Sequence, residues 1–275
     1  MRRWILAVTV IVSEVCGVHA VDIAPLIVPR PFDTPRLAES KRILLDNPYD
    51  ELALFGLAHG YHELGMYPEG VLVYERMIDI GVTRMHYVTS DRAILLDPLD
   101  RLEEAESGFR RAMDILPTFP HCYAGLATMW LRRNLRLDEA ATYLSMAISY
   151  EIEPDLQNCY RAQLGGVRLR LGELDEAMSI LQAAKSAIPV DLVRQTYPIN
   201  EIEAIYEVRY YLAEAYARRA DPVAAEREMD DVIRAFESRM AAPPKARVGI
   251  MPSGTWEMIE HPDRFRYLFD RWRLP

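Results

Sequence analysis

Five times along the chain a small residue in one helix-compatible stretch is followed twelve or thirteen residues later by another: Ala58 and Gly70, Ala93 and Ala105, Ala127 and Ala140, Gly165 and Ala177, Ala213 and Ala225. The second members recur at intervals of 35, 35, 37 and 48 residues. Four and seven residues beyond each comes an apolar pair: Tyr74/Met77, Phe109/Ala112, Leu144/Ala147, Leu181/Ala184 and Met229/Val232. That spacing keeps one helix face apolar. Two antiparallel helices approach closely only where side chains are small, and the large residues around them fill the notch beside the contact. A single pair buries little, so the pairs must stack, each covering its apolar face on the next.

The flanking positions sharpen the pattern. Leu57, Arg92, Leu126, Leu164 and Leu212 precede the first small residues, and Tyr61, Leu96, Trp130, Arg168 and Tyr216 follow them by three. Gly65 and Gly172 fall where first helices should end, and Pro117, Pro154 and Pro189 follow the second helices. These residues resemble the tetratricopeptide (TPR) repeat, whose period is about 34. The resemblance covers roughly residues 50 to 239. It implies an all-α, helix-turn-helix solenoid, a right-handed superhelix of about five repeats with flanking capping helices. Two repeats depart from the pattern, because Arg92 and Arg168 occupy slots that are normally apolar. Either those arginines snorkel outward along their stems, the reading favoured here, or the helix phase shifts by one residue. Gly70 stands where alanine is usual, at about 0.8 to 1 kcal/mol in helix propensity.

Outside the repeats, residues 1–20 read as a secretory signal peptide. Arg2 and Arg3 supply the charge, Trp4 to Val12 the apolar run, and Val18-His19-Ala20 a small-residue cleavage site, with cleavage expected after Ala20. The apolar run of nine residues is too short to span a bilayer, although an uncleaved anchor is the alternative to cleavage. The expected location is the periplasm or the medium. Residues 21–49 read as an extended, proline-containing segment and a lead-in helix opened by Thr34-Pro35 and running to about Asp46. Between repeats four and five the rhythm breaks, with a loop at roughly 189–198 and a long helix, capped by Asn200, to about Arg219. Residues 240–275 read as a Pro/Gly-rich linker followed by a helix that carries Phe265, Leu268, Phe269 and Trp272 on one face. It either folds back on the last repeat or meets a partner or membrane.

Charge and motif content narrow the function. The chain carries 32 Lys and Arg against 41 Asp and Glu, a net charge of −9, which opposes nonspecific nucleic-acid binding. No later segment reads as a transmembrane span. No phosphate loop, HExxH, nucleophile elbow or paired CxxC is present, so no catalytic residue, metal ligand or cofactor is assigned. His59, His62 and Glu63 read as a polar helix face in preference to a metal site. Cys122 and Cys159 read as separate thiols, since equivalent positions on stacked helices are about 8 to 10 Å apart, and His121 beside Cys122 makes at most a weak metal site.

In the TPR family the first helix of each repeat lines a concave surface that binds a segment of another protein. Carried onto this chain, the resemblance implies partner-binding candidates Phe55, His59, Tyr87, Thr128, Arg132, Arg170, Tyr210, Glu214 and Arg218, with His62, Ser90, Ile94, Ala124, Ala162 and Gly166 filling the remaining inward places. Arg132, Arg170 and Arg218 would form a row at about 10 Å intervals, suited to an acidic peptide or a C-terminal carboxylate. An arginine near a helix C-terminus also complements the helix dipole, and that alternative stays open. The family's carboxylate clamp is not matched, because Phe55 and His59 occupy its first-repeat places. The leading expectation is a scaffold for a protein partner, an assembly factor or subunit of an envelope complex, with self-association among its contacts. The alternatives are a binding protein for a small anionic ligand, then an enzyme with its site in the inserted loop or C-terminal segment.

Overall fold

The computed structural model describes residues 21–31, 33–187 and 199–230. The expected signal peptide, residue 32, the expected loop between repeats four and five, and everything from residue 231 on, including the expected C-terminal helix, lie outside the described residues. Among the described residues all regular secondary structure is helical. The helices are α1 (Pro35–Asp46), α2 (Glu51–Glu63), α3 (Tyr67–Ile80), α4 (Met85–Leu96), α5 (Leu102–Ile115), α6 (Pro120–Arg133), α7 (Leu137–Tyr150), α8 (Pro154–Leu171), α9 (Leu174–Ala187) and α10 (Ile199–Arg218). Residues 222–230 are helical as well.

Local chemistry sets the ends. The Thr34 hydroxyl accepts from the Leu37 N–H at the start of α1, and the Asp50 carboxylate accepts from the Ala53 N–H at the start of α2, satisfying amides that have no partner within the helix. First helices end at left-handed residues: Gly65 (φ 68°) beyond α2, Asn134 (φ 55°) beyond α6 and Gly172 (φ 83°) beyond α8. Helices α5, α7 and α9 then open on acids, Glu103/Glu104, Asp138/Glu139 and Asp175/Glu176, the sign the helix dipole favours at an N-terminus. The long helix α10 begins at Ile199, so Asn200 lies inside it instead of capping it.

Packing gathers the helices into two compact units, Met1–Pro117 and Thr118–Pro275. In the first, α1 to α5 pack each on the next; in the second, α6 to α10 do the same, and the first helices α8 and α10 also lie side by side. The eight alanines of the small slots are each 0% exposed. At the two glycine slots a larger neighbour has taken the space: a Cβ on Gly70 would meet Leu95 Cδ1 at 2.5 Å, and one on Gly165 would meet Leu181 Cγ at 2.5 Å. Leu95 thus accounts for the glycine at a position where alanine is usual.

The arginines in apolar slots keep the helix phase, since Ala93 and Gly165 beside them remain buried. The Arg92 guanidinium lies 2.8 Å from Glu75 and 3.5 Å from Glu104, and that of Arg168 lies 2.7 Å from Glu173 and 3.2 Å from Glu176. Both heads therefore snorkel onto carboxylates, most of them around the start of the following second helix.

Residues 21–31 carry no helix and lie on the first unit as a strap. Ile23 and Leu26 are buried, and the Tyr61 hydroxyl donates to the Leu26 carbonyl. Burial pushes the Tyr61 phenol up to about 12, which keeps it a donor. The Lys41 ammonium donates to the Val28 carbonyl at 3.0 Å and pairs with Asp33 at 2.8 Å, the two side chains being 1% and 4% exposed.

Candidate functional site

Of the sequence-derived candidates, Phe55 and His59 come together in the first unit and Arg170, Glu214 and Arg218 in the second. In the first unit, Phe55 and His59 stand one turn apart on α2, their rings edge to face at 6.4 Å, and Phe55 meets the Tyr74 ring of α3 at 6.5 Å. His59 Nε2 lies 3.4 Å from Asp91 of α4, and the Tyr74 hydroxyl donates to the same carboxylate oxygen at 3.3 Å. Burial and then the Asp91 charge hold the Tyr74 phenol well above its ordinary value, so it acts as a donor and not as an anion. Tyr87, one turn before Asp91 on α4, is 38% exposed, with its ring tilted against that of His86. Ser90 is fully buried and Ile94 half-buried.

His59, His62 and Glu63 turn to three different neighbours. His59 faces Asp91, His62 lies against the Tyr67 ring, and Glu63 pairs with Arg36 at 3.5 Å. Neither Cys122 nor Cys159 is disulfide-bonded. The Cys122 thiol donates to the Phe119 carbonyl, and burial pushes its pKa up to about 12. His121 stacks on Phe119 with ring centroids 5.3 Å apart.

In the second unit the cluster is ionic. Arg170 reaches from α8 to the Glu214 carboxylate of α10, and Arg218, one turn further along α10, bonds the same oxygen, both at 2.5 Å. Arg218 also donates to the Leu169 carbonyl in the last turn of α8, so it complements the end of a neighbouring helix while facing outward. Glu214 is 5% exposed, Arg170 12% and Arg218 40%. Two guanidinium groups thus share one buried carboxylate, and the one on Arg218 reaches the surface. They also stand much closer together than the row of about 10 Å steps expected from stacked helices. Thr128 and Arg132 are half-buried on α6, and Tyr210 is buried with its ring edge to face with Tyr211.

Asp91 and the sharing of Glu214 are what sequence reasoning missed. Neither has a local signal, since His59 and Asp91 are brought together only by the pairing of α2, α3 and α4, and Arg170 and Glu214 are 44 residues apart. Gly166, read as an inward position, lies under the ring of Tyr211, where a Cβ would meet Cζ at 2.5 Å. It serves the contact between α8 and α10. A depression of about 300 Å³ in the first unit, lined by Ile78, Thr89, Arg92, Glu104, Ser107 and Arg111 among others, carries both signs of charge.

No protein-family model and no curated protein matches this sequence. Solved structures do resemble it. One is a chain of the APC/C hetero-tetramer Cut9–Hcn1, at TM-score 0.56 and 16% identity over 73% of this chain; the match spans only 35% of that chain. Another is BtubC (BKLC) from P. vanneervenii, at TM-score 0.56 and 15% identity, covering 76% of this chain and 90% of that one. At such identities the likeness speaks to fold alone, and the fold it shows is the one the small-residue spacing implied: an all-α, TPR-like helical repeat.

Proposed function

We propose that the chain is an exported interaction scaffold that holds an acidic segment of a protein partner against the first helices of its repeats, acting as an assembly factor or subunit of an envelope complex. The observation that carries the proposal is the shared glutamate. Arg170 and Arg218 converge on Glu214, and Arg218, 40% exposed, keeps its guanidinium open to solution on a protein whose net charge is −9. A carboxylate arriving there gains charge-assisted hydrogen bonds without competing for a buried site. Thr128 and Arg132 are half-buried on another first helix, α6, and Tyr210 is buried one turn before Glu214 on α10. In the first unit, Phe55, His59 and Tyr87 offer an aromatic surface suited to apolar side chains of a partner.

Site-specific photo-crosslinking tests this reading. A photoreactive residue in place of Thr128 or Tyr87 should join a single envelope polypeptide, while the same residue in place of Thr142, exposed on the second helix α7, should join none. Equal labelling from all three positions, or none from the first two, would contradict it.

A further inference from the structure

We infer that cleavage after Ala20 does more than release the chain: it creates an ion pair, between the new α-ammonium of Val21 and Asp79, that fastens the N-terminal strap. The inference rests on the export part of the function proposed above. Its structural basis is separate. The Val21 nitrogen lies 2.8 Å from Asp79 Oδ2 in α3, and Val21 is the first residue after the small-residue cleavage motif. Two independent features, one in sequence and one in space, thus meet at the same nitrogen.

The setting of Asp79 adds a second reason. It lies in the last turn of α3, which carries no basic residue, and a carboxylate there has the wrong sign for the helix dipole. In the uncut chain the nitrogen offers one neutral N–H. Hydrolysis of the Ala20–Val21 bond by a signal peptidase adds one water, leaving a carboxylate on Ala20 and an ammonium on Val21. That ammonium brings a full charge and three donors to the same oxygen. The strap is held at its far end by the buried Lys41–Asp33 pair and in its middle by Ile23, Leu26 and the Tyr61 hydroxyl. Processing closes the near end.

Two measurements separate the inference from the export reading. The intact mass of protein recovered after export should correspond to a chain beginning at Val21; a retained leader or a different first residue would overturn the inference together with export. Independently, a chain made to begin at Val21 by a site-specific protease is compared with the same chain acetylated at its α-amine, each with and without Asp79→Asn. The readout is hydrogen exchange at the Leu26 amide, which donates to the Ile23 carbonyl at 2.8 Å. Acetylation alone and Asp79→Asn alone should each speed exchange by about two- to fivefold, the range of an exposed ion pair, and the two together should add nothing further. Equal exchange in all four proteins, or independent additive effects, would overturn the pairing while leaving the cleavage site standing.

Discussion

The two units solve the same problem with different polar devices. In the first, charge is buried to hold a non-helical strap: Lys41 and Asp33 form a closed pair, 1% and 4% exposed. In the second, charge is shared at the surface to hold a helix, since Glu214 receives Arg170 and Arg218, and Glu228 receives Lys185 and Arg209. Both shared glutamates tie α10 and the segment after it to α8 and α9, across the place where the repeat interval stretches to 48 residues. A closed buried pair has no capacity left for a ligand. Arg218 of the second unit, 40% exposed beside Glu214, can still meet a carboxylate from solution, which is why we propose the second unit as the seat for an acidic partner.

The largest expected effect tests the closed pair. Asp33→Ala leaves the Lys41 ammonium buried without its counter-charge and should lower unfolding free energy by about 3 to 5 kcal/mol, read by chemical denaturation. Combining Asp33→Leu with Lys41→Met should recover most of that loss, because a buried pair replaced by apolar residues of similar size is often neutral. Next comes the shared carboxylate. Glu214→Gln removes the charge from two charge-assisted hydrogen bonds and should cost about 2 kcal/mol, less than the closed pair because Arg218 is 40% exposed to water. If Glu214→Gln proved the costlier of the two, the contrast between the units would fail.

Glycine substitutions sharpen the same contrast at smaller scale. In the second unit, Gly166→Ala would drive a Cβ into the buried Tyr211 ring and should cost about 1 to 2 kcal/mol through overpacking. In the first, Gly70→Ala meets only the terminal methyl of Leu95. The gain of about 0.8 to 1 kcal/mol in helix propensity should then offset most of the strain, leaving a change near zero in thermal or denaturant midpoint.

What was legible in the sequence was whatever repeats locally. The alanines and glycines at spacings of twelve and thirteen marked the helix–helix contacts, and Gly65 and Gly172 marked the ends of first helices, because each depends only on residues within the same hairpin. The phase at Arg92 and Arg168 was legible too, with the guanidinium groups found on Glu75, Glu104, Glu173 and Glu176. Long-range pairing was not. His59 with Asp91 and Arg170 with Glu214 are chosen by which helices meet in space, and no period announces them. Arg170, Glu214 and Arg218 could be placed on first helices from the repeat pattern, but the convergence of both arginines on one oxygen could not. Gly166 shows the same limit in reverse: its position in the repeat pointed inward, whereas the large ring of Tyr211 claimed it for packing.

The most direct measurement of the central claim is the affinity of an oligoglutamate peptide for the folded chain at low and at physiological salt, with Arg218→Ala beside the wild type and Arg110→Ala on α5 as control. Binding that weakens with salt, falls about tenfold for Arg218→Ala, equivalent to about 1.4 kcal/mol, and is unchanged for Arg110→Ala is the predicted result. Equal affinity for all three proteins, or no binding to the wild type, would contradict a carboxylate-receiving surface at Glu214.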